Sequence, residues 1–590
     1  MAPLLPVPPA QLRRAAVPLA LLVAACAAPR PAPAPPPPEP VPAPPVSPAA
    51  SAENAPDAGS APPVVVAPLD IPPPPSTRRL DVRAGEPTVP VRIMEGKREV
   101  VFLPLGPVRI LLPGTPEKRL EAPARTLLRA RWRSGQPADR TFRIQVAELA
   151  YADKDGIASE RAEWEGRGFT TRLEQLGQVY GIVGKIIDNR RTLVLLEPSL
   201  DAAAAAKKQA ELLRTYGVRT TLAEEVRRPA SVELSIEEAD GTPLGSATGP
   251  VRAETLDGAG FEVRSVEFGI GYPNHGVENR TYRGALSFAA DVEGTLAVVN
   301  GVSLEDLLRG LVPSEIFAAA PAEALKAQAV TARGEVLAKV GTRHLADPYL
   351  LCSEQHCAVY RGRTGEAPST NAAVEATRGE ALFSTTGRLV DSVYSAVCGG
   401  HTENNEAVWG GVPDPSLRGK PDVLEPVADL PDPQKNPGRF LAFDLPAACR
   451  KGRFAQPARY RWERRFTAEQ LDALVAPLGV GSVQHLQPLE RGVSGRVRLL
   501  LVSGSEGATE LRGELTIRKR FGMLNSALFT VSEERDERGR PAAFVFKGGG
   551  WGHGVGMCQT GAIGRAEAGQ DYRAILRHYF NGAEVARIYE

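Results

Sequence analysis

The sequence lacks an excess of charge of either sign. Its 70 lysines and arginines stand against 69 aspartates and glutamates, which gives a formal net charge of +1. A protein that holds nucleic acid by electrostatics needs a basic surface. The composition therefore predicts no nucleic-acid partner for the chain as a whole.

Histidine is scarce, with 7 residues in 590, and no HExxH motif occurs. A zinc peptidase of that type uses both histidines of the motif as ligands and its glutamate as the base. That class is therefore disfavoured. Hydrophobic residues at 43% and charged residues at 24% are ordinary for a globular protein, and the length suffices for several domains.

The N-terminus carries an apolar run, residues 15–25, that is too short to span a bilayer. Two arginines precede it, which is the order of a secretory signal peptide. The run ends in VAAC at Cys26 and resembles the lipobox at which bacterial signal peptidases cut before a cysteine that then carries lipid. We therefore predict a lipoprotein signal peptide over 1–26, with lipid on Cys26 anchoring the chain on the periplasmic face of the cell envelope. The alternative is an ordinary cleaved signal, and both predict export.

Residues 27–78 form a segment rich in proline and alanine. Twenty prolines and only five charged side chains occur between residues 27 and 76, so the segment has nothing from which to build a packed core. A polyproline II chain extends by about 3.1 Å per residue, which allows a reach of up to about 150 Å. We predict a disordered tether to a target away from the membrane, such as the cell wall.

Alternating β-branched residues predict strands between Pro87 and Pro113, within a β segment over 79–139. The pattern then changes over 140–228 to strand, helix, strand, strand, helix, strand. The predicted elements are 142–146, 159–168, 170–173, 191–196, 202–216 and 218–222. With IQV at 144–146 and YGV at 216–218, this unit resembles a SPOR domain, which in its family binds peptidoglycan strands that lack peptides. The alternative is a generic α+β spacer.

Strands dominate again from residue 230 to residue 300. Ser303 begins a capping-box pattern that predicts a short helix ending near Leu311, and Pro321 opens a second helix. In the second helix, four apolar residues are spaced for one buried stripe: Leu325, Ala329, Ala332 and Val336. Glu315 is predicted to lie in the turn between the two helices.

Eight blocks of sequence fall in one order over the second half of the chain. They are 282–284 (YRG), 298–300 (VVN), 311–315 (LVPSE), 324–330 (ALKAQAV), 398–403 (CGGHTE), 408–410 (VWG), 491–496 (RGVSGR) and 550–559 (GWGHGVGMCQ). Together they resemble the SpoIID/LytB family, stage II sporulation protein D and its relatives. The resemblance implies a mixed, β-rich catalytic domain over 229–590 and an α+β fold for the whole chain.

The resemblance implies a lytic transglycosylase that cuts peptidoglycan between N-acetylmuramic acid and N-acetylglucosamine and leaves a 1,6-anhydromuramoyl end. Because the C6 hydroxyl of the substrate attacks, one carboxyl group can act first as acid and then as base. Glu315 is the predicted catalytic residue, with a pKa raised by Ile316 and Phe317. Glu323 is the second candidate. The alternative is that Glu315 caps a helix or is solvated.

Two glycine-rich segments, 395–403 and 548–559, are predicted to line the glycan site, since glycine lets backbone approach a ligand. The predicted substrate-binding residues are Ser395, Gly399, Gly400, Thr402, His553 and Gln559. The alternative treats the glycines as turns and His553 as a core residue. A nucleotide-binding loop is excluded because no βαβ unit surrounds the segment.

Four residues within 14 positions offer two sulfur and two nitrogen ligands: His344, Cys352, His356 and Cys357. This set suits one structural zinc ion, and some SpoIID proteins carry a His/Cys zinc site in this stretch. The alternative is a disulfide between Cys352 and Cys357. We also consider a disulfide between Cys398 and Cys558.

The leading hypothesis is a membrane-tethered enzyme that cleaves peptidoglycan glycan strands. The second is a non-catalytic wall-binding regulator, because LytB relatives are described as amidase enhancers and a fold alone does not decide function. The expected partners are glycan strands, the membrane through the N-terminal lipid, and a cell-wall amidase.

Overall fold

The structure, a computed structural model, describes residues 80–590 except 84, 115, 183–184, 217, 219, 271–274, 355 and 412. The predicted signal peptide, Cys26 and the proline-rich tether lie outside the described residues. Strands and helices are mixed along the chain and strands prevail, which confirms the α+β class. Within the described residues, no helix has both the length and the apolar character that crossing a membrane requires.

The first part of the chain forms strands in which apolar residues alternate with polar ones. On the fourth strand, Val108, Ile110 and Leu112 point inward and are fully buried, as the two-residue period of a strand requires. The strands are β1 (Asp81–Arg83), β2 (Glu86–Lys97), β3 (Glu99–Pro104), β4 (Val108–Leu112), β5 (Lys118–Ala122), β6 (Leu128–Gln136) and β7 (Asp139–Ala150).

An inserted unit begins with β7. It continues with α1 (Lys154–Gly166), β8 (Thr171–Leu176), β9 (Val179–Ile182), β10 (Lys185–Asp188), β11 (Arg191–Leu200), α2 (Ala202–Tyr216) and β12 (Thr221–Arg228). Four strands make an antiparallel sheet in the order β12-β7-β11-β8. The order of elements follows the sequence prediction, but the β9–β10 hairpin was not predicted. Helix α1 begins earlier than predicted because Asp153 caps it by accepting the N–H of Gly156.

Strands after the insertion pair with strands before it. They are β13 (Ser231–Glu238), β14 (Pro243–Thr248), β15 (Val251–Thr255), β16 (Phe261–Phe268), β17 (Gly276–Tyr282), β18 (Ala285–Ala290) and β19 (Leu296–Ser303). One sheet has the order β1-β2-β19-β18-β15-β4-β5, and the other has the order β14-β13-β6-β3-β16-β17. Strand β13 continues beside β6 with Ser231 opposite Gln136, so the sheet is uninterrupted across the insertion.

The rest of the chain carries short helices and small sheets. Its elements are α3 (Leu304–Glu315), α4 (Ala322–Lys339), β20 (Leu351–Cys352), α5 (Pro368–Ala376), β21 (Glu380–Phe383), β22 (Tyr394–Ser395), α6 (Asn405–Trp409), α7 (Pro437–Ala442), α8 (Pro457–Tyr460), β23 (Arg461–Thr467), α9 (Ala468–Val475), β24 (Val483–Arg491), β25 (Val497–Gly504), β26 (Gly507–Arg512), α10 (Glu514–Arg520), β27 (Phe529–Arg535), β28 (Pro541–Gly549), β29 (Met557–Cys558), α11 (Gln559–Glu567), α12 (Tyr572–Tyr579) and β30 (Glu584–Arg587). Strands β23, β28 and β27 form one sheet and β24, β25 and β26 form another, and the two share a core.

Helix α3 corrects one sequence prediction. Ser303 caps it by accepting the N–H of Asp306, as expected, but the helix runs past Leu311 and through Pro313 to Glu315. A proline inside a helix costs about 3 kcal/mol, and the buried apolar face of α3 offsets that cost. Glu315 is therefore the last helical residue and does not lie in the turn between the helices.

Helix α4 is buried on two sides. The predicted stripe that includes Leu325 and Val336 packs into the core of the large sheets. The opposite residues Ala327 and Val330 pack into a second core, beneath the glycine-rich segments. Because α4 separates two cores, it fixes the position of one relative to the other.

A buried ion pair joins α3 to α4. The guanidinium of Arg333 donates to both carboxylate oxygens of Glu305 at 2.8 and 2.6 Å, and both side chains are almost completely buried. The hydroxyl of Tyr589 and the N–H of Gly379 also donate to this carboxylate. A fully hydrogen-bonded pair of this kind holds the two helices in one orientation.

Candidate active site

Glu315 lies at the C-terminal end of α3, where its side chain is partly buried. The N–H of Val359 donates to Oε1 at 3.4 Å, and the side chain of Gln559 donates to the Glu315 carbonyl at 2.8 Å. Burial raises the pKa of Glu315 to about 7, and the nearby carboxylate of Glu335 adds to the rise. The group therefore holds a proton near neutral pH, as a general acid must.

Glu335 and Tyr394 complete the surroundings of Glu315. Glu335 lies on α4, where it pairs with Lys339 at 2.6 Å, and burial raises the pKa of Glu335. Burial and the charges of Glu315 and Glu335 raise the pKa of Tyr394 well above its usual range. The phenol therefore stays protonated and donates to Glu335. Sequence reasoning missed both residues, although Tyr394 precedes a predicted site residue and Glu335 stands one turn before a lysine.

Glu323, the second candidate acid, has the opposite electrostatic character. It lies on the first turn of α4, pairs with Lys326 at 2.7 Å, and accepts the N–H of Tyr572 at 2.9 Å. Burial favours the protonated form, but these partners outweigh burial and lower the pKa of Glu323. It is therefore ionised at neutral pH and is a poor proton donor.

The two glycine-rich segments meet beside Glu315. Strands β22 and β29 pair in parallel, with Tyr394 opposite Met557 and Ser395 opposite Cys558. Further along the segments, Val397 is bridged to Trp551. The segments are 160 residues apart in sequence at Cys398 and Cys558, and the fold makes them one surface.

Three of the predicted substrate-binding residues contribute to packing or to backbone hydrogen bonds. They are Gly399, Gly400 and Thr402. A Cβ atom on Gly399 would lie 2.8 Å from the Gly550 nitrogen, and one on Gly400 would lie 2.7 Å from the side chain of Leu445. These glycines let the segments pack closely. The hydroxyl of Thr402 is buried and exchanges hydrogen bonds with the backbone of Lys420 at 3.2 and 2.9 Å, so it is not available to a ligand.

Of the other three, Gln559 contacts Glu315 directly. The hydroxyl of Ser395 is buried and has no hydrogen-bond partner among the described residues. Gln559 donates to Gln328 Oε1 at 3.2 Å as well as to the Glu315 carbonyl, so it positions the acid. His553 accepts the N–H of Val555 at 3.0 Å, and burial lowers the pKa of His553 to about 3, which keeps the ring neutral.

Exposed aromatic side chains flank the site. Phe317, two residues beyond Glu315, is 46% exposed and stacks on Phe454, with ring centroids 5.4 Å apart. Trp551, in the second glycine-rich segment, is 39% exposed, and Trp409, at the end of α6, is 56% exposed with its ring 5.0 Å from that of His553. Burial does raise the pKa of Glu315, and the contribution of Phe317 to it stays a prediction. Such rings offer flat apolar faces to a ligand, and sequence reasoning did not select them.

Arg496, in the RGVSGR block, holds the backbone of the first glycine-rich segment by hydrogen bonds. Its buried guanidinium donates to the carbonyls of Cys398 and His401 and to the hydroxyl of Ser494. Ser494 in turn donates to the buried carboxylate of Glu403 at 2.6 Å. The block therefore shapes the site through backbone contacts and does not face a ligand.

The predicted metal ligands converge, and their donor atoms lie within 4.8 Å of one another. Cys352 Sγ and Cys357 Sγ are 3.0 Å apart, and His344 Nε2 is 3.2 Å from Cys357 Sγ. His356 Nδ1 lies 3.7 and 3.6 Å from the two sulfurs. A disulfide requires about 2.05 Å between sulfurs, so the alternative bond is not formed.

The donor set fits zinc. Tetrahedral zinc bonded to sulfur and nitrogen places these atoms about 3.5 to 3.8 Å apart. The two distances from His356 Nδ1 match this range, and the distances from Cys357 Sγ to Cys352 Sγ and to His344 Nε2 are shorter. Asp347 lies 2.9 Å from His344 Nδ1, the position of a carboxylate that orients a zinc-bound histidine. Burial favours the neutral ring, but the hydrogen bonds to Asp347 and Cys352 raise the pKa of His344 to about 9.

The metal-ligand cluster is connected to Glu315. The carbonyl of Cys357 accepts from Lys339 Nζ at 2.6 Å, and Val359, two residues on, donates to the Glu315 carboxyl group. A zinc ion held by the cluster would stiffen this loop and so keep both contacts in place.

The inserted unit also contacts the site helix. The hydroxyl of Tyr180 donates to the carbonyl of Leu337 at 3.1 Å, and Asn189 Nδ2 donates to the carbonyl of Val340 at 2.6 Å. The N–H of Gly177 donates to the carbonyl of Gly341 at 3.0 Å. The unit is therefore docked at the end of α4, next to Lys339.

A cavity of about 440 Å³ adjoins the first glycine-rich segment. Tyr460 and Arg461 line it, and the Arg461 guanidinium donates to the Gly399 carbonyl at 2.9 Å. The Tyr460 hydroxyl and Arg461 Nη2 are buried without a partner among the described residues. The cavity therefore adjoins the backbone of the first glycine-rich segment through Arg461.

Fold and site together define a mixed α+β protein built around a helix-end carboxyl group that holds its proton near neutral pH. The family described as "Stage II sporulation protein" matches residues 292–383, which include Glu315, and a domain of unknown function (DUF8618) matches 403–556. The chain is therefore similar to the SpoIID/LytB family over this region.

Relatives of the chain extend the likeness. An uncharacterized protein of Brachyspira hyodysenteriae is 28% identical over 53% of this chain and 74% of its own length. The "Amidase enhancer" of Bacillus subtilis is 25% identical over 67% of this chain and 57% of its own, and the "Stage II sporulation protein D" of Bacillus amyloliquefaciens is 27% identical over 49% and 75%. A solved structure from Burkholderia pseudomallei aligns with 28% of each chain at 14% identity and a TM-score of 0.14, too low to carry an argument.

Proposed function

We propose that this protein acts on the bacterial cell wall as a lytic transglycosylase, cleaving glycan strands between N-acetylmuramic acid and N-acetylglucosamine. The observation that carries the proposal is Glu315, a shielded carboxyl group whose pKa is raised to about 7 inside a family block. Glu323, which is ion-paired and has a lowered pKa, does not meet the same requirement.

The reaction needs one carboxyl group. Protonated Glu315 donates its proton to the glycosidic oxygen as the bond from C1 of the muramic acid breaks. The ionised Glu315 then takes the proton of the C6 hydroxyl of the same sugar as that oxygen bonds to C1. The carboxyl group is restored, and the product carries a 1,6-anhydro ring.

The surroundings suit this cycle. Glu335 and Lys339 lie beside Glu315, and the negative charge of Glu335 favours the protonated starting state. Trp551, whose ring is exposed, and Ser395, whose buried hydroxyl has no hydrogen-bond partner among the described residues, are the proposed sugar contacts. Zinc at the His344 cluster would be structural, since four protein ligands leave no open position.

The inserted unit is proposed to be a SPOR-like module that holds glycan strands lacking peptides. Its contact with α4 would deliver a bound strand next to the catalytic carboxyl group. We further propose that the chain is exported and lipid-anchored at Cys26, with residues 27–78 as the tether that reaches the wall.

The decisive experiment is mass spectrometry of the products released from purified glycan strands, with and without peptides. The parent is compared with Glu315→Gln and with the matched control Glu323→Gln. We expect anhydromuramoyl ends from the parent and the control and none from Glu315→Gln, because only the transferable proton is lost. Reducing ends would instead indicate a hydrolase that uses a second carboxyl group, for which Glu335 is the neighbour.

A second candidate function follows from the relative named "Amidase enhancer". In that role the chain would bind strands and stimulate a cell-wall amidase without cleaving glycan itself. No products from the parent, together with retained strand binding and faster amidase turnover on peptide-bearing wall, would establish this role. Equal stimulation by Glu315→Gln would separate it from catalysis.

A further inference from the structure

Three cysteines and one aspartate converge where the glycine-rich segments meet. Cys398 comes from the first segment, Cys558 from the second, and Cys449 and Asp422 from the chain between them. One ligand atom from each lies within 4.8 Å of the others, and all four residues are fully buried. We propose that this group, the Cys398 cluster, is a tetrahedral zinc site separate from the His344 cluster.

The distances fit tetrahedral coordination. Zinc–sulfur bonds of about 2.3 Å and a zinc–oxygen bond of about 2.0 Å place sulfurs about 3.8 Å apart and sulfur and oxygen about 3.5 Å apart. Cys398 Sγ lies 3.5 Å from Cys449 Sγ and 3.2 Å from Asp422 Oδ2. Small outward shifts of the ligands would admit the ion.

Backbone N–H groups already point at the sulfurs. The N–H groups of Cys398 and Gly561 donate to Cys558 Sγ at 3.1 and 3.3 Å, and that of Gly400 donates to Cys398 Sγ at 3.4 Å. A thiol is a weak acceptor, whereas a metal-bound thiolate is a strong one. Three such donors in a buried site therefore suit thiolates better than neutral thiols.

Asp422 is oriented as a ligand would be. Its Oδ1 accepts from Arg565 at 2.9 Å and from the Tyr579 hydroxyl at 2.9 Å, while Oδ2 faces the sulfurs. Outer contacts of this kind orient a metal-binding carboxylate. Three thiolates, one carboxylate and Zn²⁺ carry a net charge of −2, and the buried Arg565 partly compensates it.

A disulfide accounts for the cluster less well. All three thiols are free, so the pairing of Cys398 with Cys558 considered from sequence is not formed. Any single disulfide would leave the third sulfur and Asp422 Oδ2 buried without a role, whereas a metal engages all four ligands. The ion would tie both glycine-rich segments together directly beside Gln559, which holds Glu315. This inference does not depend on the catalytic activity proposed above.

The test is the metal content of the full chain, purified without added metal. Zinc per chain is measured for the parent, for Cys449→Ser and for Cys357→Ser, which alters the other cluster. We expect Cys449→Ser to contain one zinc fewer than the parent, and we expect Cys357→Ser to retain the ion of the Cys398 cluster. Equal zinc in the parent and Cys449→Ser would overturn the proposal.

A second measurement needs no variant and so covers the case in which Cys449→Ser fails to fold. The parent is denatured in the presence of a chelator and without reductant, and its free thiols are alkylated. Mass spectrometry then gives the mass of the intact chain and of its peptides. We expect Cys398, Cys449 and Cys558 all to be alkylated, and we expect one zinc ion to be released for each such cluster. A disulfide among the three, or free thiols without the corresponding zinc, would refute the site.

Discussion

Replacing Glu315 with glutamine is expected to stabilise the folded chain more at pH 8 than at pH 5. The pKa of Glu315 is about 7 in the folded chain, against 4.5 for an ordinary glutamate. The folded state therefore binds this proton more tightly than the unfolded state does. The free energy of unfolding falls as pH rises from about 4.5 through about 7, and it levels off above that pH. Glutamine does not titrate, so the variant avoids the loss.

The magnitude follows from the two pKa values. Holding Glu315 ionised at pH 8 costs about 3 kcal/mol, and at pH 5 the cost is below about 1 kcal/mol. The gain of Glu315→Gln over the parent should thus grow by about 2 kcal/mol between these pH values, as an upper figure because the group is not completely buried.

The assay is urea unfolding followed by tryptophan fluorescence at pH 5 and pH 8. Glu323→Gln is the matched control, because partners lower the pKa of Glu323 and the ionised form is already favoured. This control should show no gain, and a small loss at pH 8. A gain from Glu315→Gln that is the same at both pH values, or a loss at pH 8, would refute the assignment of a shielded carboxyl group and with it the proton that the proposed mechanism needs.

Three further predictions concern the surroundings of the site. Glu335→Gln should move the alkaline limit of activity to lower pH, because loss of the neighbouring negative charge lowers the pKa of Glu315; an unchanged pH profile would contradict the coupling. Trp551→Ala should weaken glycan binding by about three- to tenfold, because one stacking ring contributes about 1 kcal/mol to the binding free energy. Calorimetry with purified strands measures the affinity. Equal affinity of the parent and the variant would show that Trp551 does not bind the glycan. Arg333→Met should lower the free energy of unfolding by about 3 to 5 kcal/mol, because Glu305 is left buried and unpaired, and Glu305→Leu in the same chain should recover part of the loss; a small effect of the single change would mean that water reaches the pair.

The elements that depend on local interactions could be predicted from the sequence. The start of α3 at Ser303 and the full span of α2 follow from capping and periodicity. The end of α3 could not be predicted in this way. Pro313 favours a helix end before it, and the helix continues to Glu315 because its apolar face packs against the core. The β9–β10 hairpin was missed because its strands are four residues each and partly exposed, so they carry little hydrophobic pattern.

The candidate site divides in the same way. Glu315 and the His344 cluster could be selected from sequence because their residues lie close together in the chain or within a family block. Glu335 lies near Glu315 only because α3 packs on α4, and Asp422 lies near Cys558 only because of the fold. The hydrogen bonds of Thr402 with the backbone of Lys420 likewise depend on the fold, since the two residues are 18 positions apart in sequence.

The inserted unit has a consequence for the order in which the chain folds. Strands β6 and β13 pair although the insertion separates them, and closing so long an unstructured loop costs about 3 kcal/mol more entropy than closing a short turn. In the folded insertion, Asp139 and Arg228 lie opposite each other on paired strands. Once the insertion has folded, β6 and β13 meet as the arms of an ordinary hairpin. The rate at which the host sheet closes is therefore tied to the stability of the unit it carries.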